Sequence, residues 1–465
     1  MDRARRALGA APSSAAEYGP LAGADDEPAA LESSAVLDTR DDDDDDDDDD
    51  VPFSWIEYSI FGFLGMAMLW AWNMFLAAAP YFASRLAGDA WAAANYQSAI
   101  LTVSTLTNLG AIVVLTNVRR AASYPFRINL ALLINVLVFT VLTSSTAVFL
   151  DAGPRAYLAF LLTAVACTAC ATGLLQNGAF AFAASFGRPE YTQALMAGQG
   201  VAGVLPAVAQ VVTVLLFPPE HVSSPSSGSA REGESSAFLY FLAAVVMSVT
   251  ALIALIPLVR RHHRFVESRV VEHLAESMTS IEDAERAARK ATSMWHLFCK
   301  LRWLALGVSL TFAVTMFFPV FTAKIRSVQD DPGPLFRPAA FVPLAFFFWN
   351  LGDLGGRVAT MLPFSLKHRP LVLFLLAAAR VAQVFLYLLC NIGGRGAVVP
   401  SDFFYLVIVQ VLFGLTNGWL GSSFMMASGE WVDEGEREAT GGFMSLFLVI
   451  GLTTGSLLSF TVSGI

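Results

Sequence analysis

Charge is scarce in this chain: Asp, Glu, Lys and Arg make up 15% of its 465 residues, against 55% hydrophobic residues and a mean hydropathy of +0.57. A water-soluble domain carries far more charge than this, so a soluble enzyme is disfavoured from the outset. Cysteine is equally sparse. Cys167, Cys170, Cys299 and Cys390 make no disulfide framework, and three of them sit in apolar runs where a thiol behaves as a small hydrophobe. Cys167-x-x-Cys170 has no second Cys/His pair at zinc spacing, so no metal is expected. The six histidines all fall in or beside polar connections, which removes the commonest proton relay from the apolar stretches. There is no Ser/His/Asp set, no second buried Asp to form a protease dyad and no Walker loop, so neither an enzyme nor an ATP-driven pump is expected and no cofactor is called for. Gly198-Gln-Gly-Val-Ala-Gly203 spells a dinucleotide fingerprint, but it lies in an apolar helical run without a preceding strand; Ala194, Gly198 and Ala202 read instead as a close helix contact, as do Gly451 and Gly455.

The net charge of −10 belongs to one end. Residues 1–50 hold 4 Lys/Arg against 17 Asp/Glu, ten of them the unbroken run Asp41–Asp50, and the remaining 415 residues stand at +3. With Tyr18 as its only aromatic residue, this segment cannot bury enough apolar surface to offset ordering, and reads as a disordered acidic tail. It has no early apolar region followed by a cleavage site, so it is not a signal peptide. Nothing in the charge pattern asks for nucleic acid.

From Trp55 onward one pattern recurs, an apolar stretch of about 20 or more residues followed by a polar connection, long enough to cross roughly 30 Å of hydrocarbon. Eleven stretches are predicted, at 56–83, 95–118, 126–150, 156–183, 192–217, 237–259, 301–322, 339–362, 370–391, 403–427 and 439–462. Pro206, Pro319 and Pro343 interrupt three of them. Alternate connections hold 16 and 7 Lys/Arg, and the richer set, which includes Arg127, is expected on the cytosolic side, placing the N-terminus there. The basic connection at 260–300 divides a six-helix bundle at 51–259 from a five-helix bundle at 301–465. The expected fold is thus an all-α polytopic membrane protein.

Polar groups at membrane depth are costly, so each is a candidate for function. Three charges qualify: Asp353, Arg357 and Arg380. Asp353 and Arg357 stand one helical turn apart and can neutralise each other; facing a water-filled cavity they would offer acceptors and donors to a polyhydroxylated solute. Gly352, Gly355 and Gly356 leave space for a ligand or for a close helix. Asn73, Gln176, Asn177, Gln199, Asn350 and Asn417 supply amides from five stretches, each able to bond across helices or to line a polar pathway. Trp72 offers a flat ring with one donor. Glu57 is close enough to the start of its stretch to be solvated, which leaves Asp353 as the main acid able to carry a coupling proton.

Several stretches resemble the equilibrative nucleoside transporter family: Leu175-Gln-Asn-Gly-Ala-Phe180, Tyr191-Thr, Met196-Ala-Gly-Gln-Gly-Val-Ala-Gly203, Phe318-Pro319, Asp353-Leu-Gly-Gly-Arg357, Arg380 with Cys390-Asn391, Phe413-Gly-Leu-Thr-Asn-Gly418 with Met425-Met426, and Glu438-Ala to Gly441. The resemblance covers essentially all of 55–465 in order, and the acidic extension resembles fungal members that act at the vacuole. The resemblance implies eleven helices in a six-plus-five, major-facilitator-like arrangement around a site opened alternately to either side. It implies that Trp72 and Leu76 pack on a nucleobase, that Gln176 bonds its edge, and that Asp353 and Arg357 hold the ribose hydroxyls, with Asn73, Gln199, Arg380 and Asn417 as pathway or packing residues. Leu76, Thr416 and Ser428-Gly429 depart from the residues common in relatives, which bears on substrate preference. The implied function is equilibrative passage of nucleosides such as adenosine and uridine, with nucleobases left open, by a monomer in a vacuolar rather than plasma membrane bilayer. Alternatives are a proton-coupled nucleoside carrier, a major-facilitator carrier of another solute such as a sugar, and a polytopic scaffold.

Overall fold

The computed structural model describes residues 53–117, 124–148, 152–216, 228–276, 293–329, 333–363 and 366–459. The acidic tail at 1–50 and residues 277–292 of the long connection lie outside the described residues. Among the described residues the structure is helical, with one isolated β-bridge between Ile325 and Ile392. The long helices are α1 (Trp55–Ala77), α2 (Ala90–Asn117), α3 (Tyr124–Val148), α4 (Pro154–Ala184), α5 (Pro189–Leu216), α6 (Gly228–Glu276), α7 (Met294–Thr315), α8 (Pro338–Ala359), α9 (Pro370–Ala379), α10 (Leu412–Ala427) and α11 (Arg437–Ser459). Each corresponds to one predicted stretch, and the chain is an all-α, multi-pass membrane protein.

Local chemistry sets the helix ends. Proline opens α4, α5, α8 and α9, where its missing N–H and fixed φ cost nothing. Asp89 caps α2 by accepting from the Ala92 N–H at 3.0 Å. That bond, helped by Arg155 at 2.6 Å, holds its carboxyl below the usual carboxylate range. Gly187, at φ 71°, makes the turn between α4 and α5. The first predicted stretch is interrupted, because Pro80 starts a new short helix, Ala79–Leu86. Likewise α7 ends before Pro319, which lies in the short helix Phe317–Thr322, whereas α5 and α8 continue through Pro206 and Pro343. The backbone of α6 stays helical to Glu276, so the first part of the 260–300 connection is helix.

Among the described residues ten helical segments are long and apolar enough to cross a membrane, and α8 is not one of them. It carries Asp353, Arg357 and Asn350 and packs against α5 and α10, so its polarity is met by protein contacts rather than by lipid. Outward positions are apolar in the manner of a lipid-facing surface, with Leu137, Leu239 and Ile253 all exposed.

Backbones approach closely where glycine allows it. A Cβ on Gly198 would overlap the Gly62 carbonyl, which seats α5 on α1, and a Cβ on Gly418 would overlap the Asp353 carbonyl, which seats α10 on α8. The Gly451/Gly455 face packs in the same way on α7 at Ser309 and Ala313. Of the three glycines beside the ion pair, Gly356 is a helix contact, since its Cβ would strike the Leu415 carbonyl, while Gly355 faces open space. We therefore predict that Gly418→Ala lowers thermal stability in detergent by about 1–3 kcal/mol, an overpacking cost, whereas Gly355→Ala leaves it equal or raised through helix propensity. Equal melting of the two variants would contradict this packing.

Candidate functional site

Asp353 and Arg357 lie on α8 at successive turns and are 3% and 4% exposed, so neither charge has bulk water to solvate it. Arg357 Nε donates to Asp353 Oδ2 at 2.7 Å. The second carboxylate oxygen, Oδ1, accepts from Asn417 Nδ2 on α10 at 2.7 Å. Asn417 in turn accepts from the Thr315 hydroxyl on α7, and that hydroxyl also lies 2.8 Å from the Thr311 carbonyl. On the other side of the pair, Arg357 Nη1 donates to the Met196 carbonyl at 2.7 Å and to Gln199 Oε1 at 3.2 Å, both on α5. Gln199 Nε2 then donates to the Met68 sulfur on α1. One hydrogen-bonded chain thus runs α1–α5–α8–α10–α7 through the ion pair.

Two features leave this centre chemically open. Arg357 Nη2 has no hydrogen-bond partner among the described residues, and each carboxylate oxygen, with a single donor, keeps acceptor capacity. Adjacent donors and acceptors of this kind fit a vicinal diol, whose hydroxyls can each donate to a carboxylate while accepting from a guanidinium N–H.

The other residues singled out from the sequence divide into those joined to this centre and those apart from it. Gln199 and Asn417 are direct partners of the pair. Trp72 and Leu76 follow Met68 at steps of four on α1 and so share its face, one and two turns along. Trp72 is partly buried against the cluster containing Ala71, Met74 and Phe75, while Leu76 is 52% exposed. Asn73 donates to the Ala202 carbonyl at 2.7 Å and ties α1 to α5. Gln176 is buried on α4 and its amide makes no hydrogen bond among the described residues, so no bond links it to the pair. Asn350 turns back to its own helix, donating to the Phe346 carbonyl.

Arg380 is a different kind of site. It is 2% exposed where α9 ends, and it donates to the Thr311 carbonyl at 2.7 Å, the Phe413 carbonyl at 3.1 Å and the Thr416 hydroxyl at 3.2 Å, with its guanidinium 4.1 Å above the Phe413 ring. Carbonyls of two helices and an aromatic face satisfy it, which makes it a packing staple for α7, α9 and α10. Its bond to Thr311 also puts it at the far end of the hydrogen-bonded chain.

Two placements correct the sequence reading. Glu57 is buried rather than solvated: it is 2% exposed, accepts from Tyr191 OH at 2.6 Å and pairs with Arg261 at 3.0 Å. Arg127 lies inside α3 rather than in a connection and is 7% exposed, with Nη1 donating to Asn177 Oδ1 at 2.6 Å. Thr315 and Gln193 join the centre without having drawn attention in sequence, and Met196, named there only within a family motif, joins it through its carbonyl. A threonine hydroxyl, a backbone carbonyl and an amide near the start of a stretch carry no signal there.

The comparisons with known proteins bear on this geometry. The nucleoside transporter family model matches residues 162–463. A Saccharomyces cerevisiae nucleoside transporter is 29% identical over 446 residues, covering 87% of this chain and 83% of its own. Human equilibrative nucleoside transporter 2 is 26% identical, covering 86% and 95%, and Arabidopsis thaliana equilibrative nucleotide transporter 1 is 27% identical, covering 86% and 85%. Among solved structures, the Escherichia coli fucose:proton symporter superposes with a TM-score of 0.51 at 13% identity, covering 88% of this chain and 97% of that one. A proton:xylose symporter of the major facilitator superfamily gives 0.53 at 11%, covering 87% and 88%. At such identities these structures speak for the fold alone, which is that of the major facilitator superfamily. With the family model spanning well over half its length, the chain belongs to the nucleoside transporter family.

Proposed function

We propose that this protein carries nucleosides passively down their gradient by alternating access, with adenosine and uridine among its substrates and nucleobases as a further class. The observation that carries the reading is the buried Asp353–Arg357 pair, whose spare acceptors and unpartnered Nη2 suit the two hydroxyls of a ribose. In this account α1–α6 and α7–α11 form two halves that rock about the pair. Trp72 and Leu76 pack on the nucleobase, and the uncommitted Gln176 amide bonds its edge once the solute is in place. Gln199 and Asn417 position the pair, and Asn73 and Arg380 serve packing. The Lys/Arg asymmetry favours an N-terminus in the cytosol, the resemblance of the acidic tail to that of fungal members favours the vacuolar membrane, and the carrier is taken to act there as a monomer.

The reading is tested by uptake of labelled adenosine and uridine into liposomes holding the purified protein, with unlabelled glucose as competitor. Saturable uptake that glucose does not block is expected. Asp353→Ala strands Arg357 in a low-dielectric site and should cut uptake by about a hundredfold or more. An Asp353→Ala protein that folds and transports normally would remove the pair from the site; glucose competition would favour a sugar carrier. Passive transport also predicts that a proton uncoupler leaves initial uptake unchanged between pH 5 and 8, whereas its collapse would favour the proton-coupled alternative.

A further inference from the structure

Gln193 and Tyr58 form a second tie between the halves, one that no substrate contact requires. Arg357 lies three residues before Thr360, in the last turn of α8, where helix carbonyls have no partner from their own helix. Its carbonyl accepts from Thr360 Oγ1 at 2.6 Å and, across the seam, from Gln193 Nε2 on α5 at 3.0 Å. The other end of the same amide, Gln193 Oε1, accepts from Tyr58 OH on α1 at 2.6 Å, and that hydroxyl also lies 3.7 Å from the Met361 sulfur just beyond α8. Gln193 is 1% exposed, so both ends of its amide are satisfied by this relay and not by water. The base of the relay is held by its neighbour Glu57, which joins Tyr191 at the start of α5 to Arg261 on α6. Three helices of the first six, α1, α5 and α6, are thereby tied together beside the residues that reach the end of α8. Beside this seam, Thr192 and Glu190 line a cavity of about 290 Å³ whose opposite wall includes Met425, Met426 and Ser428.

We propose that the Tyr58–Gln193–Arg357 relay is the closure of the carrier on the Met361 side, and that Gln193 is the positioning residue that sets how long this mouth stays shut. The relay holds the backbone of the residue whose guanidinium lines the centre, so closing this mouth and joining Arg357 to Met196 and Gln199 on α5 are one event. Opening replaces Gln193 by water at the Arg357 carbonyl, an exchange of hydrogen bonds with a small net cost, which makes the closure reversible on the timescale of transport. The inference rests on the alternating-access reading above, but its test does not need the solute to be identified.

The full-length protein in liposomes carries a reporter, Ser428→Cys, buried on the cavity wall, and its alkylation by a water-soluble maleimide is measured as the increment over the same protein without the reporter. Gln193→Leu and Tyr58→Phe should each speed alkylation by about fivefold, the size expected for losing one or two net hydrogen bonds from the closed state. The double variant should exceed neither single variant, because the three groups act as one relay. Tyr58→Phe removes only an oxygen and keeps the fold, so it decides the matter if Gln193→Leu misfolds. In the same liposomes the half-saturation for adenosine should shift in opposite senses for influx and efflux. An alkylation rate unchanged in both variants overturns the closure, whatever the flux. Faster alkylation with no adenosine flux in the parent protein upholds the closure and overturns the nucleoside reading instead.

Discussion

Burying Asp353 and Arg357 is the constraint to which the surrounding helices answer. A carboxylate and a guanidinium withdrawn from water cost several kcal/mol each before their mutual attraction is counted, and a buried pair survives only when its remaining lone pairs and N–H groups are met. On α8 alone they would satisfy each other at one contact. The second carboxylate oxygen is met by Asn417 on α10 and the guanidinium by Met196 and Gln199 on α5, two helices that pack against α8. Such contacts require short interhelical distances, and the chain supplies them through glycine: Gly418 lets α10 lie against the Asp353 carbonyl, and Gly200 faces the Arg357 Cδ. The packing of small residues and the polarity of the centre are therefore one design. The same logic explains why α8 can fall short of the apolar length of a free-standing span and still stand at membrane depth.

Much of this was legible in the sequence, because hydrocarbon is a strict solvent. An apolar run has few alternatives to a spanning helix, and the positions of α1 to α11 follow from run length alone. The ion pair was legible because its two members sit four apart on one element, so helical periodicity brings them together without knowledge of the fold. Gln199 and Asn417 were legible as expensive amides but not as partners of that pair, since the contact depends on how α5 and α10 pack. The family motifs pointed to Gln176, Trp72 and Leu76, and these three remain without a bond to the centre in the structure.

What the sequence concealed has a common physical origin. Glu57 and Arg127 lie near helix ends, where one residue's difference in boundary separates water from protein, and hydropathy cannot resolve it. Glu57 is paired with Arg261, which reaches it from α6, some 200 positions away, and no local pattern encodes that meeting. Backbone carbonyls such as those of Met196, Thr311 and Arg357 carry no side-chain signature at all, yet they receive three of the most important donors in the molecule. Breaks are a milder case: Pro80 and Pro319 lie in new short helices, whereas Pro206 and Pro343 are absorbed, and at Pro206 the freed Ala202 carbonyl is taken up by Asn73.

The central claim, that the pair receives the ribose hydroxyls, is tested most directly by pairing a substrate change with a protein change. Half-saturation for uridine and for 2′,3′-dideoxyuridine is measured in the parent protein and in Asp353→Asn. If the carboxylate accepts from the diol, the parent favours uridine by about tenfold or more and the variant loses most of that preference, because the missing hydroxyls and the missing acceptor belong to the same contact. A variant that keeps the parent's full preference for uridine would place the ribose elsewhere and contradict the account.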